Sequence, residues 1–186
     1  VCAFVGDLDF DKVNNLLEEN LGDIAPSTQN LPCLAHPLLT ETKNVEIIQP
    51  DLNQAHILKG WLAASADSED YASIALLNII LGASGLSSRL FLELRDKKGL
   101  AYVVRSAYDV ARLSANFSIY IATEPNNIET SLKGFDEEIE KIKTIPVSEE
   151  ELENAKNNIF GKWAFIGETK SQQANWLAHY GIMGFG

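Results

Sequence analysis

The sequence predicts an α+β fold of two layers, a mainly antiparallel sheet with helices on one face. Two observations carry that prediction. Residues 113–121 alternate between apolar and polar side chains, the pattern of an antiparallel strand with one buried and one solvent-exposed face. Helical patterns then gather at the end of the chain, over residues 125–145, 148–167 and 169–180, which favours a helical layer packed against a sheet.

Composition excludes several classes of function. The chain has 186 residues, of which 46% are apolar, and 26 acidic residues outnumber 15 basic ones, giving a net charge of -11. Binding to nucleic acid requires a basic patch, and none is visible, so we expect no nucleic-acid partner. The longest apolar runs, such as Ile74–Leu81, are too short to span a bilayer, so no membrane partner is expected either.

The first segment, residues 1–22, is predicted to form a strand–helix unit. The apolar run Val1–Gly6 is a candidate buried strand, and Asp9 is suited to cap the helix that follows it. Gly22 supplies the helix stop. The chain does not open on methionine, and we interpret it as a fragment of a longer protein; any targeting segment would then lie outside it, and the compartment stays unknown.

Residues 23–43 are rich in proline and carry no periodicity, which indicates an interdomain linker. A compact domain then occupies residues 44–186. Its first elements are predicted strands at Val45–Ile48 and Gln54–Leu62, followed by a helix over residues 67–81 whose acidic start suits the helix dipole.

The stretch from Ser87 to Tyr102 is the most informative part of the chain. It predicts a short amphipathic helix capped by Ser87 or Ser88, closed by Gly99, and followed at once by a strand that begins near Tyr102. Arg95 lies in the last helical turn, so its guanidinium and the Tyr102 phenol are expected to face one space.

Two interpretations of Arg95 and Tyr102 follow from the residues alone. In the structural one, Arg95 compensates the helix dipole and Tyr102 is a partly buried residue of the sheet. In the functional one, the two are fixed donors aimed at a substrate carbonyl or a developing oxyanion.

The sequence contains no motif typical of a metal site or a nucleotide-binding site. The histidines His36, His56 and His179 have neither zinc-ligand spacing nor an HxxEH pattern, and the residues predict no metal site. The loop Gly82–Ser88 lacks the P-loop and GxGxxG patterns, so we interpret it as a tight link between helices rather than a phosphate cradle.

The order of several short motifs resembles a known family. These motifs are Val5-Gly-Asp-Leu-Asp9, Gln54-Ala55, Leu77-Asn-Ile-Ile-Leu-Gly82, Ser87-Ser-Arg-Leu-Phe91, Glu93-Leu-Arg95, Gly99-Leu-Ala-Tyr102 and Ser148-Glu-Glu-Glu-Leu152. Together they are similar to the C-terminal, inactive-domain region of the insulinase-like zinc metallopeptidases, which include pitrilysin and the mitochondrial processing peptidases.

The resemblance implies half of an active site. In that family a first domain holds zinc through HxxEH, and a metal-free second domain supplies an arginine and a tyrosine seven residues apart that bind substrate and stabilise the tetrahedral intermediate. Arg95 and Tyr102 match that spacing. The implied function is a substrate-binding domain of a zinc endopeptidase, with zinc on a partner domain or subunit; the alternative is a non-catalytic scaffold or assembly subunit of the same fold.

The resemblance also bears on the two ends of the chain. Residues 1–22 look like the strand–helix unit that closes the preceding, zinc-bearing domain, whereas the corresponding unit of the 44–186 domain is missing. We therefore expect residues 2–6 to pair with the vacant edge of the 44–186 sheet, either within one chain or by exchange in a homodimer.

Overall fold

The computed structural model describes residues 1–25, 38–48 and 52–184. They fall into two compact units. The first comprises Val1–Ala35 together with Lys162–Gly186, and the second comprises His36–Gly161. The second unit contains the sheet together with Arg95 and Tyr102.

Three antiparallel strands form the sheet of the described chain: β1 (Ala55–Leu62), β2 (Ala101–Val110) and β3 (Ala115–Thr123). The order is β1-β3-β2, so β3 lies in the middle and pairs with both neighbours. A tight hairpin joins β2 to β3, closed by the bond from the Ala111 amide to the Ser114 carbonyl. The predicted α+β class with an antiparallel sheet is confirmed.

The helices account for most of the remaining described residues. Two of them contain π-helical turns, in which the backbone bonds from residue i to i+5 and inserts one residue per turn. In chain order the helical segments are α1 (Phe10–Leu21), α2 (Tyr71–Asn78) continued by a π turn (Ile79–Ala83), a 3₁₀ turn (Gly85–Ser87), a π-helical segment (Phe91–Lys97), a 3₁₀ turn (Pro125–Asn127), α3 (Ile128–Thr144), α4 (Glu149–Ile166) and α5 (Lys170–Met183).

One face of the sheet carries the hydrophobic core. Side chains at alternate positions of β3, such as Ile119 and Ile121, are fully buried, as the alternation in the sequence predicts. They pack with helical residues that include Leu94 and Phe135, both fully buried. Each such side chain contributes about 1.5–3 kcal/mol to folding, so this face fixes the helices against the sheet.

Two glycines allow unusually close packing in this layer. A Cβ on Gly82 would lie 2.2 Å from the backbone nitrogen of Ser106 in β2, and a Cβ on Gly134 would lie 2.3 Å from Leu94 Cδ2. The Ser106 hydroxyl donates to Asn78 Oδ1 at 2.7 Å and thereby ties α2 to β2. The helices before β2 and the helix after β3 therefore have tightly fixed positions.

Two predicted strands are wrong. Val1–Gly6 and Val45–Ile48 are mainly apolar, but neither forms a strand in the structure, and most of their large side chains are exposed, Val45 at 83% and Ile47 at 78%. A strand exists only where another strand offers its backbone groups, and an apolar run alone does not guarantee that partner. The predicted helix over 67–81 begins instead at Tyr71 and continues as a π turn to Ala83.

The predicted docking of the N-terminal strand has the same outcome. Residues 2–6 pair with none of the three strands, so pairing within one chain is wrong for the described structure; exchange between two copies stays a prediction. Most of the predicted linker, residues 26–37 of 23–43, lies outside the described residues. None of the described helices has the length and apolarity needed to cross a membrane.

Candidate functional site

The junction between the π-helical segment and β2 forms the candidate site. The helical turn begins after Ser88, whose buried hydroxyl donates to the carbonyl of Gly85 at 2.8 Å. It ends at Gly99, which has a φ of +62°, a left-handed conformation that glycine adopts without strain. The Leu100 amide then donates back to the Leu94 carbonyl at 2.9 Å. The chain thus turns from helix into strand within a few residues.

A bidentate ion pair fixes the start of this helix. Arg89 Nε and a terminal guanidinium nitrogen each donate to Glu151 of α4 at 2.8 Å. The hydrogen bond holds the pKa of Glu151 below its ordinary value and raises that of Arg89. Two parallel charge-assisted bonds define an orientation as well as a distance. The helix that carries Arg95 is therefore held from α4 as well as by Leu94 in the core.

Tyr102 lies at a β-bulge near the start of β2. The register of β2 on β3 shifts there, because Ala101 pairs with Thr123 whereas Val103 pairs with Ala122. The residue between them has no partner on β3. Its side chain is 77% exposed, in contrast to the partly buried position that the structural interpretation assumed. The bulge re-aims this side chain, a known use of bulges near functional sites.

The structure brings Arg95 and Tyr102 together. The guanidinium carbon of Arg95 lies 4.9 Å from the centroid of the Tyr102 ring and 4.5 Å from that of Phe91. A cation over an aromatic face is attracted by about 0.5–1 kcal/mol at an exposed site. The two rings therefore hold the guanidinium while leaving its N–H donors without an acceptor among the described residues.

Two neighbouring glutamates, Glu93 and Glu137, are occupied by lysines. Lys97 bonds to Glu93 at 2.5 Å and Lys98 bonds to Glu137 at 2.9 Å. Each of these hydrogen bonds lowers the pKa of the carboxyl that accepts it. Within the part of the chain that the structure describes, Arg95 forms no ion pair. It is the cation at this junction that stays available to a ligand.

A groove of about 490 Å³ opens beside Tyr102. Residues from the junction, the segment before β1, the end of β3 and the turn before α3 line it, among them Gly99, Tyr102, Gln54, Thr123 and Asn127. The Thr123 hydroxyl donates to the Leu100 carbonyl at 2.6 Å and so fixes one wall. An exposed phenol, an available guanidinium and an adjacent groove together are suited to bind a carbonyl oxygen or an anion.

The described residues do not fit a metal ion. No group of three or more His, Cys, Asp or Glu side chains gathers among them in a way that could hold one. His56 bonds instead to the Tyr120 hydroxyl, His179 packs on Trp176, and His36 lies outside the described residues. No catalytic step is therefore assigned to a metal on this part of the chain.

Sequence reasoning missed a second arginine–tyrosine contact. Arg105 of β2 lies with its guanidinium carbon 5.4 Å from the ring centroid of Tyr120, and Tyr120 bonds to His56. The alternation of β1 and β3 placed His56 and Tyr120 on the polar face of their strands, a signal that would have grouped them. The bulge at Tyr102 left no such signal.

A family model described as the peptidase M16 inactive domain matches residues 1–159. The chain belongs to this family. The match confirms the resemblance to the C-terminal inactive domain of the insulinase-like zinc metallopeptidases. The chain is also 30% identical, over 169 residues, to an uncharacterized zinc protease of Mycobacterium leprae, a match that covers 87% of this chain and 36% of that protein.

Solved structures agree with the M16 assignment. The peptidase M16 inactive domain from Pseudomonas fluorescens is 29% identical, with a TM-score of 0.63 over 72% of this chain and 32% of that one. A protease from Helicobacter pylori is 23% identical with a TM-score of 0.83, over 97% of this chain and 44% of that one, and supports the fold. The M16 chain described here thus spans little more than a third of the length of the M. leprae zinc protease.

Proposed function

We propose that this M16 inactive domain binds the peptide substrate of a zinc metalloendopeptidase and supplies Arg95 and Tyr102 to its active site. The observation that carries the proposal is their convergence at one helix–strand junction, with the Arg95 guanidinium 4.9 Å from the Tyr102 ring and without an ion pair among the described residues. Both side chains are hydrogen-bond donors. They are suited to a carbonyl oxygen that gains negative charge as the peptide bond is attacked.

Zinc, in this proposal, is held by another domain or a partner subunit. The zinc protease of M. leprae is nearly three times as long as the region that this chain matches, and we propose that the remaining length carries the zinc ligands. The residues of this chain then act on the substrate alone. They bind it, orient its carbonyl and donate to the developing oxyanion.

The test uses the full-length protein with any zinc-bearing partner subunit and a quenched fluorescent peptide. Arg95→Ala and Tyr102→Phe are each expected to lower kcat/KM by about 100-fold to 1000-fold, the usual effect of removing one oxyanion donor. Equal loss in kcat and kcat/KM would assign the interaction to the transition state, whereas a rise in KM alone would assign it to substrate binding.

Matched controls separate this role from general damage. Arg112→Ala removes an exposed arginine at the hairpin, and Tyr71→Phe removes a phenol hydroxyl at the start of α2; both should leave turnover unchanged. Zinc content should equal that of the unmodified protein in all four variants. Unchanged turnover in both Arg95→Ala and Tyr102→Phe contradicts the proposal, and absence of hydrolysis in the intact zinc-loaded assembly would favour the scaffold alternative.

A further inference from the structure

The sheet face opposite the core carries a second polar cluster. Residues of β1, β3 and β2 that point away from the helices meet there in register: Arg105 lies opposite Tyr120, and Tyr120 lies opposite Leu58. His56 and Arg105 are exposed and Tyr120 is half-buried. Arg105, Tyr120 and His56 each come from a different strand, so hydrogen bonding of the sheet fixes their spacing.

Contacts between the side chains order the cluster. His56 Nδ1 lies 2.8 Å from the Tyr120 hydroxyl, and the two rings stack with centroids 6.1 Å apart and planes at 23°. The Arg105 guanidinium carbon lies 5.4 Å from the Tyr120 centroid. When Tyr120 donates to Nδ1, the neutral imidazole carries its proton on Nε2, which is then a donor.

Charge around Arg105 is unbalanced. Among the described residues Arg105 forms no ion pair, although the chain has 26 acidic side chains. The one carboxylate of β2 on the same face is Asp109, four residues further along, and at about 3.3 Å per residue it is about 13 Å away. An arginine left without a carboxylate on an exposed sheet face is complementary to an anionic ligand.

We propose that Arg105, Tyr120 and His56 form a binding site for an acidic side chain of the peptide substrate. The occupant is thus an extended peptide that carries Glu or Asp, and the inference rests on the proposed function in that it takes the ligand to be a peptide. The site would make the enzyme prefer an acidic residue at one position of its substrate.

The chemistry of each group fits that occupant. The planar guanidinium binds a carboxylate through two parallel N–H···O bonds, and the Tyr120 ring behind it limits its orientations. His56, through its bond to Tyr120, restrains that ring. Apolar side chains flank the cluster on the same face, with Leu58 at 70% and Val103 at 37% exposure, and they offer surface to neighbouring peptide residues.

The test measures binding rather than turnover. A labelled nonapeptide of alanine and leucine carries one Glu, moved through successive positions, and each peptide has a twin with Gln at that position. Dissociation constants are measured by fluorescence anisotropy with the full-length protein after zinc is removed by chelation. The unmodified protein should bind Glu about 5-fold to 10-fold more tightly than Gln at one position.

Arg105→Gln should remove this preference, because the affinity for the Glu peptide falls while the affinity for its Gln twin stays unchanged. Arg105→Glu should reverse the preference, so that this variant binds a third twin with Lys at the same position more tightly than the Glu peptide. Tyr120→Phe keeps the aromatic face, so it should lose less affinity for the Glu peptide than Tyr120→Leu, which removes that face. Arg112→Ala changes the net charge equally and should keep the preference. Circular dichroism of each variant checks that the sheet is intact.

Equal binding of the Glu and Gln twins at every position by the unmodified protein would overturn the inference. So would equal weakening of both twins by Arg105→Gln, or an identical loss with Arg112→Ala, since general electrostatics would then explain the effect. The outcome is separable from that of the proposed function: a Glu preference lost in Arg105→Gln supports the acidic-residue site even where Arg95→Ala leaves turnover unchanged.

Discussion

Gly82→Ala probes how closely the helix layer approaches strand β2 of the sheet. A Cβ at this position would meet the Ser106 backbone nitrogen at 2.2 Å and the Ser106 hydroxyl at 2.6 Å. An ordinary contact is about 3.5 Å or more, so the π turn and β2 must separate by about 1 Å to accept the methyl group. Because Ser106 is held in the sheet by the pairing of β2 with β3, this movement is costly.

The magnitude follows from three terms. Overpacking of a tight interior contact costs about 1–3 kcal/mol, and loss of the Ser106–Asn78 hydrogen bond costs about 1 kcal/mol. Alanine gains about 1 kcal/mol over glycine through its helix propensity. The expected net effect is a destabilisation of about 2 kcal/mol.

Gly161→Ala provides the matched control. Gly161 lies inside α4, and nothing lies within 4 Å of a Cβ built on it. Only the propensity gain remains there, so this variant should be more stable by about 0.5–1 kcal/mol. Urea denaturation of the full chain, followed by far-ultraviolet circular dichroism, gives both changes as midpoint shifts at constant slope. Shifts of the same sign in the two variants would refute the packing argument.

Two further predictions concern pH. Arg89 lowers the folded-state pKa of Glu151 from 4.5, so the ion pair stabilises the fold above that pH, and its contribution is lost as the pH falls through the folded value. Arg89→Met should therefore make the free energy of unfolding depend less on pH between about pH 6 and 3. An unchanged pH dependence would contradict this prediction. Burial raises the pKa of Tyr108 from 10.0, so the stabilising contribution of its neutral phenol is present below that pH and is lost as the pH rises through the folded value. Tyr108→Phe should remove this loss of stability at alkaline pH, and at neutral pH it should cost about 1 kcal/mol because the hydrogen bond to the Ala64 carbonyl is lost. Urea titrations at about pH 7 and 11 measure both effects.

Local chemistry made part of the fold predictable. Asp9 accepts hydrogen bonds from the amides of Asp11 and Lys12, as its place before a helical pattern indicates. Ser148 and Glu151 form the reciprocal bonds of a capping box at 3.2 Å. These bonds join residues only two or three positions apart, so the sequence shows them without knowledge of the tertiary fold.

The irregular backbone at the site was not predictable in the same way. A π-helical segment differs from an α-helix by one inserted residue, and a bulge differs from a regular strand by one unpaired residue; neither has a compositional signature. Both irregularities depend on residues distant in the sequence. In the π-helical segment Leu94 packs against Gly134 of α3, and at the bulge Tyr102 has no partner residue on β3. The sequence predicted the spacing of Arg95 and Tyr102 and their convergence on one space. It did not predict the bulge or the high exposure of the Tyr102 side chain.

Three of the four arginines of this acidic chain differ in the group that holds the guanidinium. Arg89 uses its donors on Glu151, within the fold. Arg95 and Arg105 each lie on a tyrosine ring instead, and neither has an ion pair among the described residues. A ring holds a guanidinium from its face and leaves the in-plane N–H groups open, whereas a carboxylate consumes them. At the junction lysines occupy Glu93 and Glu137, and on β2 the carboxylate of Asp109 lies too far from Arg105 to pair with it. The guanidiniums of Arg95 and Arg105 therefore keep their donors for a ligand, at two places on or beside one edge strand of the described sheet.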